Sequence, residues 1–478
     1  MKHNFKIHNM FYLGYVVLNS RTAYGKNKKN VTYYAFKPIQ QEHEELMIVP
    51  YKKLSKEEQT NVYIVATKNE NENLNQPNHI VMTIYKILGP IGDPEAEHKY
   101  LLYKHSLAPL RKKPSVNPRH YYEDIINEEI SKRTVKTTNA ITIDPEGSQD
   151  HDDAVSITIT DNEHMIIGVH IADVSFLVSP DSQLDNYAKE SYTTVYSSQL
   201  SPINMLPSYV CNDILSLKEN GKRLCVSIYY YYKNNTLTHT TVIRDSVTIA
   251  KNCTYQNARK HLTKDQWNAL TQVTNTTDTH KIVETLMLQT NTFIARKLAT
   301  KAPNNCILRA QKESIDDSIF FRARANYITG TTQDTVHHDL NEEYYTHFTS
   351  PLRRYADIIA HRQLFSKDYT IKEEIINEIN DVNKRCSRLK SDEHKLQLIY
   401  DLEKLWKQDQ TALQLQAQVI DIDENQVYVH TKYNEKDFLL RIKTEQKIEK
   451  NQQIIIQIMP YMCASIFSKK LKIKLIYA

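Results

Sequence analysis

The chain has 478 residues, which is long enough for several domains of ordinary size. Lysine and arginine total 61 and aspartate and glutamate total 56, so the net charge of +5 does not by itself identify a polyanionic ligand. None of the six cysteines forms a Cys-x-x-Cys pair, which argues against a zinc site or a disulfide framework and predicts the cytoplasm or another reducing compartment. No apolar run is long enough to span a membrane, so no membrane partner is expected.

The N-terminal part of the chain has the pattern of a small β-barrel. Residues 11 to 88 contain about five short strand-like runs separated by polar turns. We assign residues 1–105 to an OB or cold-shock-like barrel. Its tyrosines are interleaved with lysines, and residues 1 to 41 hold seven basic residues and no acidic residue. Such a surface suits base stacking in a basic groove, although at least half of these aromatic rings are expected to fill the barrel core.

The central part, residues 106–410, is predicted to be a larger α/β domain that contains a dense acidic loop. The stretch IDPEGSQDHDDAV places four aspartates in ten positions between two strand-like runs: Asp144, Asp150, Asp152 and Asp153. Carboxylates this close repel one another, and divalent cations that prefer oxygen ligands would remove the repulsion. Two Mg²⁺ ions in such a loop would suit phosphodiester cleavage. A solvated acidic turn is the alternative, and the loop alone does not decide between them.

The C-terminal part repeats the strand-rich pattern. Residues 371 to 408 are predicted to be helical, and from Leu413 onward five short strands predict a second OB-fold barrel, residues 411–478. Near its end are four lysines: Lys469, Lys470, Lys472 and Lys474. Basic ends therefore flank an acidic centre, which is an arrangement suited to a polyanion held at the periphery and processed in the middle.

Several longer motifs occur in a fixed order through the central domain. They are TIDPEGSQDHDDAV, IIGVHIADVSFLV, TTVYSS, INMLPSYV, ILSL and YYTHFTSPLRRYADIIAHRQL. Together they resemble the catalytic domain of the ribonuclease II and ribonuclease R (RNB) family, and the tail QVIDIDENQVYVHTKY resembles the eukaryotic exosome-type members. The resemblance implies an α/β RNB-type catalytic domain flanked by OB-fold RNA-binding barrels. It also implies processive, hydrolytic 3′→5′ degradation of single-stranded RNA to nucleoside 5′-monophosphates.

The resemblance also implies roles for individual residues. The four aspartates match the family's metal site, with Asp144 and Asp153 as direct ligands and Asp152 as a catalytic residue that helps hold a second ion or its water. Arg353 would contact the scissile phosphate. Tyr196 would pack near the terminal nucleotides. Arg354 is grouped with these RNA-binding residues, although a structural or backbone contact is the expected form of its role.

The implied cofactor is Mg²⁺ at a two-ion site, with Mn²⁺ as a substitute. The implied partner is single-stranded RNA, with a helicase or an RNA-degradation complex as a further partner, and the protein is expected to be a monomer. His170 and Asp173 border a buried strand and are expected to brace the site. Ser350 has no evident base partner in the sequence, so we do not expect it to act as a nucleophile.

The sequence departs from the family pattern at four positions. Ser191 and Tyr192 stand where Arg-Gly is usual, Thr285 where a second glutamate is common, and Gln311 where a histidine is usual. These departures leave the aspartates and Arg353 in place. They keep open a second interpretation, in which the protein is an RNA-binding regulator with an inactive nuclease centre. A nucleic-acid-binding scaffold with a calcium-stabilised loop is a third, but the loop lacks the residue order of an EF-hand.

Overall fold

The computed structural model divides the chain into two compact units. Unit 1 comprises residues 1–108, 196–201 and 385–478, and unit 2 comprises residues 109–195 and 202–384. The residues that the structure describes are 11–20, 22–39, 45–53, 55, 60–69, 79–110, 113–161, 163–313, 323–331, 334–366, 368–409, 412–423, 426–444, 446, 448–460 and 471–477. Within these ranges, no helix is both long and apolar enough to cross a membrane.

Part of the basic charge expected at the two ends lies outside the described residues. This applies to Lys2, Lys6, Arg21, Lys469 and Lys470. The three predicted domains are distributed over the two units, because both predicted barrels belong to unit 1.

The N-terminal strands of unit 1 close into a barrel, which confirms the barrel expected there. The strand order is β1-β2-β3-β5-β4. Alternate side chains such as Val16, Phe36, Val49 and Ile64 fill its interior, as the two-residue period of a strand requires. The barrel strands and the helix that follows are β1 (Phe11–Val16), β2 (Tyr33–Pro38), β3 (Leu46–Pro50), β4 (Val62–Lys68), β5 (His79–Pro90) and α1 (Pro94–Lys104).

The C-terminal strands of unit 1 form a five-stranded antiparallel sheet in the order β15-β14-β13-β16-β17. Among the described residues, no hydrogen-bonded ladder joins the outer strands β15 and β17, although these two strands approach each other. Its buried face includes Val419, Val429, Leu440 and Ile456, and Leu398 and Leu402 of the preceding long helix pack against it. The strands are β13 (Leu413–Asp423), β14 (Gln426–Tyr433), β15 (Lys436–Lys443), β16 (Gln453–Pro460) and β17 (Leu471–Tyr477).

Unit 2 is built around a second closed barrel, with strand order β10-β6-β7-β8-β9. The β6 and β10 strands run parallel and the other ladders are antiparallel. The barrel strands are β6 (Val135–Asp144), β7 (Asp153–Ile159), β8 (His164–Ala172), β9 (Gly221–Lys233) and β10 (Thr236–Thr254). A small hairpin adds β11 (Ile307–Ala310) and β12 (Asn326–Thr329).

Helices cover this barrel, and the central combination of helices with strands confirms the predicted α/β class. The helices are α2 (Arg119–Lys132), α3 (Val174–Leu177), α4 (Gln183–Lys189), α5 (Lys264–Thr274), α6 (Thr279–Lys301), α7 (Tyr355–Phe365) and α8 (Glu373–Asp409). The last of these begins in unit 2 and ends in unit 1.

Strand pairing fixes both ends of the acidic loop. Asp144 is the last residue of β6 and pairs with Thr254 of β10, while Asp153 is the first residue of β7 and pairs with Ile171 of β8. The loop between them turns at Gly147, whose φ of +84° is a conformation that glycine adopts readily. Two anchored strand ends therefore hold a short loop in place.

A buried carboxylate joins α4 to α7. The Asp185 side chain is fully buried and accepts hydrogen bonds from the Tyr355 hydroxyl (2.7 Å) and from Arg362 Nη2 (2.6 Å). Lys189 Nζ lies 2.7 Å from its other oxygen. Because α7 directly follows the motif SPLRRY, these bonds also fix the end of that motif.

Tyr192 adopts the backbone conformation that favours glycine. Its φ is +55°, at a position where the family resemblance expects glycine. For a residue with a side chain this conformation costs about 1–2 kcal/mol. The Tyr192 ring packs edge-on against Tyr355 at 5.4 Å between ring centroids, and its carbonyl accepts from the Tyr355 amide at 3.0 Å. The turn is thus retained, and ring packing offsets its backbone cost.

This interpretation predicts an unusual order of stability at position 192. Both Tyr192→Ala and Tyr192→Gly lose the ring contact, but only glycine also relieves the backbone strain. We therefore expect Tyr192→Gly to be more stable than Tyr192→Ala by about 1 kcal/mol, measured by urea denaturation. The same two substitutions at Ser191, which has no positive φ, should give alanine the advantage. An alanine variant at 192 as stable as the glycine variant would contradict the strain.

Candidate active site

Asp152 connects the acidic loop to the arginine motif. Its side chain is only 3% exposed. One carboxylate oxygen accepts a hydrogen bond from the Leu352 amide at 2.8 Å, and the other accepts from Arg353 Nε at 3.2 Å. Asp152 is thus held by two neighbouring residues that lie 200 positions further along the chain.

Arg353 reaches outward from this attachment. Its side chain is 40% exposed, and its Nη2 donates to Ser350 Oγ at 2.9 Å. Part of the guanidinium edge is therefore fixed while the group keeps contact with solvent, which suits binding of an anionic oxygen. Because Ser350 Oγ accepts this bond, it serves the arginine.

Arg354 points to a different partner. Its Nη2 donates to the fully buried Asp357 at 2.8 Å, within the first turn of α7. The backbone around both arginines is held by the segment after Tyr192, since the Thr194 amide donates to the Arg353 carbonyl at 3.0 Å. The structure thus gives Arg354 a structural ion pair, and its predicted RNA contact stays a prediction.

Asp144 is oriented by a histidine that sits inside the acidic loop. His151 Nδ1 lies 2.7 Å from Asp144 Oδ2. The His151 amide donates to Ser216 Oγ at 3.0 Å, and its carbonyl accepts from the Leu217 amide at 3.0 Å. His151 is therefore fixed on both sides of its own backbone and holds one oxygen of Asp144.

Asp153 carries negative charge that the protein compensates poorly. Burial and the nearby Asp144 carboxylate raise the pKa of Asp153 to about 7, against the opposing effect of Arg353 and His151. Burial also raises the pKa of Asp152 well above its usual range, but Arg353 and the Leu352 amide oppose this shift. The neighbouring Asp150 carboxylate raises it further. The paired carboxylates of Asp144 and Asp153 thus lack the direct guanidinium bond that Asp152 has.

The residues present fit a divalent cation at Asp144 and Asp153. Mg²⁺ is usually bound through one or two carboxylates, with waters and substrate phosphates supplying the other ligands. Among the described residues, no group of three or more His, Cys, Asp or Glu side chains is arranged to hold a metal ion. The predicted four-aspartate set is therefore not one formed cluster. Both oxygens of Asp152 already accept protein hydrogen bonds, so this residue suits a positioning role.

Tyr196 belongs to unit 1, whereas the aspartates and Arg353 belong to unit 2. Its side chain is 51% exposed. Within unit 1 the next two residues are fixed by Glu393, which accepts from Ser197 Oγ at 2.5 Å and from the Ser198 amide at 3.2 Å. His98 Nδ1 lies 2.9 Å from the same carboxylate. The ring is thus exposed on a segment whose continuation is pinned, and its predicted role stays a prediction.

His170 and Asp173 are arranged as bracing residues. His170 is fully buried between Ser156 Oγ (2.8 Å) and Ser227 Oγ (2.7 Å), and burial lowers its pKa to about 3. A Cβ at Gly168 would lie 2.5 Å from Ser156 Oγ, so the glycine is required for this packing. Asp173 is fully buried between two arginines, Arg133 (2.8 Å) and Arg244 (3.1 Å).

Sequence reasoning missed two side chains near the aspartates. His151 lies between Asp150 and Asp152 in the sequence, and this position was a usable signal. Tyr255 follows Thr254, the partner of Asp144, and the charges of Asp153 and Asp144 add to burial in raising its pKa. Its ring stacks on His280 with 3.6 Å between ring centroids. Nothing local in the sequence marked Tyr255, because its location depends on parallel pairing of β10 with β6.

The structure shows the surroundings of two further departures from the family pattern. Gln311 is buried, and its Nε2 donates to the Ala323 carbonyl and to Asp339, both at 2.8 Å. It therefore joins two loops. Thr285 lines a cavity of about 710 Å³ together with Gln289 and Tyr232. In the described part of the chain, neither residue is hydrogen-bonded to an aspartate of the acidic loop, so these departures leave that loop intact.

The family model of the RNB domain matches residues 132–275 and 318–367 of this chain. The ribonuclease R of Chlamydia pneumoniae is 27% identical over 326 residues, covering 49% of this chain and 48% of the relative. The exosome complex exonuclease RRP44 of Mus musculus is 27% identical over 402 residues, covering 63% and 41%. The chain spans about half the length of the curated relatives that it matches first.

Two solved structures share the fold. The RNase R of Mycoplasma genitalium in complex with ribose-methylated single-stranded RNA aligns with a TM-score of 0.71 and 16% identity, covering 98% of this chain and 90% of that chain. The yeast protein Ssd1, described as a pseudonuclease, aligns with a TM-score of 0.67 and 16% identity, covering 96% and 69%. The family model and the relatives agree that residues 132–275 and 318–367 of this chain form an RNB domain, and the solved structures share its fold.

Proposed function

We propose that this protein is a metal-dependent hydrolytic exoribonuclease that shortens single-stranded RNA processively from its 3′ end and releases nucleoside 5′-monophosphates. The observation that carries this proposal is the pairing of two kinds of group in one place. Among the described residues, Asp144 and Asp153 form a carboxylate pair that no arginine or lysine bonds, and Arg353 is an oriented guanidinium anchored by the adjacent Asp152. Perturbed acids beside an oriented cation are typical of catalytic sites.

The names of the relatives support an RNA substrate. They include a ribonuclease and an exosome exonuclease, and a structural neighbour is a complex with single-stranded RNA. This chain spans about half the length of the first relatives, and we propose that it shares their ribonuclease activity.

Each residue of the site has a separate role in the proposed reaction. Arg353 binds the scissile phosphate and offsets charge that grows on its oxygens. Asp152 positions Arg353 through the bond to Nε, and the Leu352 amide fixes Asp152 in turn. His151 orients the Asp144 carboxylate. Asp144 and Asp153 would hold a divalent cation, which would supply Lewis acidity and activate the attacking water.

We further propose Mg²⁺ as the cofactor at a two-ion site, with Mn²⁺ as a substitute, because the donors are carboxylate oxygens. A helicase or an RNA-degradation complex is the proposed partner, and the protein itself would be a monomer. Four of the five cysteines in the described part of the chain are buried and all five are free, which supports a reducing compartment such as the cytoplasm. Imaging of the tagged protein tests that location.

The second candidate is an RNA-binding regulator without nuclease activity. The structural neighbour described as a pseudonuclease supports it, since this fold exists without the reaction. A decisive experiment incubates the pure protein with uniformly labelled single-stranded RNA in Mg²⁺, in Ca²⁺ or in chelator. Release of 5′-monophosphates that requires Mg²⁺ supports the nuclease. Retarded RNA with no cleavage in any condition supports the regulator.

The substitution Asp152→Asn should separate binding from cleavage. The asparagine oxygen can still accept from the Leu352 amide, but its NH₂ group would face Arg353 Nε, which is also a donor. Arg353 would lose its anchor, and we expect cleavage to fall by about 100-fold or more. RNA affinity, measured by fluorescence anisotropy, should change less than about twofold.

The control is Asp161→Asn, which removes one negative charge from an exposed turn of the same unit. It should cleave at the normal rate. Turnover in Asp152→Asn close to that of the unmodified protein would overturn the role of this carboxylate.

A metal-binding test that needs no activity uses thermal stability. In chelator, Asp153→Asn should raise the melting temperature, because it removes a charge buried beside Asp144. Mg²⁺ at a concentration 100 times its dissociation constant should stabilise the unmodified protein by about 2.7 kcal/mol. It should leave Asp153→Asn nearly unchanged. Equal Mg²⁺ responses in the two proteins would remove Asp153 from the metal site.

The substitution Tyr196→Ala should change where degradation stops more than how fast it runs. An aromatic face stacked on a base contributes about 1–3 kcal/mol, which matters most when a short RNA has few other contacts. We expect longer end products on denaturing gels and a normal initial rate on long RNA. Tyr121→Ala, at a comparably exposed tyrosine on α2, is the control. An unchanged end product with a lower melting temperature would indicate that Tyr196 has a packing role.

A further inference from the structure

Arg309 is a partly buried arginine that has no role in the proposed cleavage reaction. It lies on β11 opposite Tyr327 of β12, and its guanidinium sits 5.3 Å from the centre of the Tyr327 ring. Its Nη1 is 3.5 Å from His347 Nδ1, and its amide donates to the Tyr345 carbonyl at 2.7 Å. The backbone and the aromatic ring together hold this side chain in a defined place.

The charge of Arg309 has no paired carboxylate. Among the described residues it makes no ion pair, whereas Arg353 is bonded to Asp152 and Arg354 to Asp357. His347 cannot compensate it, because a neutral imidazole carries no negative charge. The Tyr327 hydroxyl lies 2.5 Å from His347 Nδ1, and burial together with the three arginines keeps the pKa of His347 well below its usual range.

An acidic group close to this hairpin, Asp339, already has a hydrogen-bond partner. Asp339 raises the pKa of the neighbouring His337, whereas Arg309 lowers it. The Asp339 carboxylate accepts a 2.8 Å hydrogen bond from Gln311 Nε2. The region around Arg309 therefore has an excess of positive charge beside a buried aromatic ring. A guanidinium that is pre-oriented and uncompensated in this way suits an oxyanion, and its geometry matches phosphate as well as carboxylate.

We propose that Arg309 binds a phosphate of the RNA backbone other than the scissile one. This inference rests on the proposed function. Arg353 is fixed to Asp152, while Arg309 is fixed to the Tyr327–His347 pair, so the two guanidiniums are held by different anchors. On the proposed function Arg353 already binds the scissile phosphate, so we assign Arg309 to another phosphate of the same strand. Arg309 would therefore set the register of the strand and add affinity, with no part in bond cleavage.

The test measures the salt dependence of RNA binding by the full chain in chelator, where no cleavage takes place. Each phosphate contact on a single strand contributes about 0.7 to the slope of log affinity against log salt concentration. Arg309→Gln should reduce the slope by about 0.7 and weaken binding about tenfold near physiological salt. In Mg²⁺, it should raise KM by a similar factor and leave kcat within about twofold.

Three further variants keep the result interpretable. Arg309→Lys retains the charge and should keep the slope of the unmodified protein. Arg309→Met retains packing over Tyr327 and should reduce the salt slope by about 0.7, as Arg309→Gln does. This variant decides the result if glutamine destabilises the hairpin. Arg324→Gln removes an exposed arginine from the same hairpin region and should leave the slope unchanged.

An unchanged slope in both neutral variants would overturn the phosphate contact and leave Arg309 as a packing residue. An equal reduction of the salt slope in Arg324→Gln would also overturn the phosphate contact, because it would show a general effect of positive charge. These outcomes are separable from failure of the proposed function. If the unmodified protein binds RNA but never cleaves it, the nuclease proposal fails while the slope still decides the role of Arg309.

Discussion

The two-sided attachment of Asp152 is the constraint on which the candidate site depends. A buried carboxylate is unfavourable unless donors compensate its charge, and here they come from consecutive residues, Leu352 and Arg353. The acidic loop and the arginine motif cannot separate without leaving that charge uncompensated. The bond from Arg353 Nε to Asp152 also restricts rotation of the guanidinium before any ligand binds. This preorganisation favours binding of a charge that develops in the transition state.

The opposite side of the arginine motif is fixed by a different set of contacts. Thr194 bonds to the backbone of Arg353, and Asp185 ties the helix that follows. The positive φ of Tyr192 turns the backbone so that Thr194 lies beside Arg353. A residue that departs from the family pattern thus preserves the backbone geometry, so the departure alone is not evidence for lost activity.

The sequence predicted what depends on local periodicity and loop composition. The barrel of β1–β5, the α/β class and the location of four aspartates between two strands all follow from patterns within a few residues. It did not predict which carboxylate meets the guanidinium, or that Asp144 and Asp153 form the poorly compensated pair. Those facts depend on residues 200 positions apart and on the parallel pairing that brings Thr254 beside Asp144. Arg309 was missed for the same reason, since its missing counter-ion is visible only in three dimensions.

Charge balance explains why Asp152 is bonded to an arginine while Asp144 and Asp153 are not. If every aspartate had a bonded arginine, the loop would hold no net charge for a cation; if none had one, a phosphate would be repelled. Here Asp144 and Asp153 remain poorly compensated, while Asp152 holds a guanidinium that still reaches solvent. On the proposed function, a cation held by Asp144 and Asp153 would reduce the repulsion of the RNA phosphate, and the phosphate would in turn favour binding of the cation. Each should therefore strengthen binding of the other by the same factor, because linkage is reciprocal.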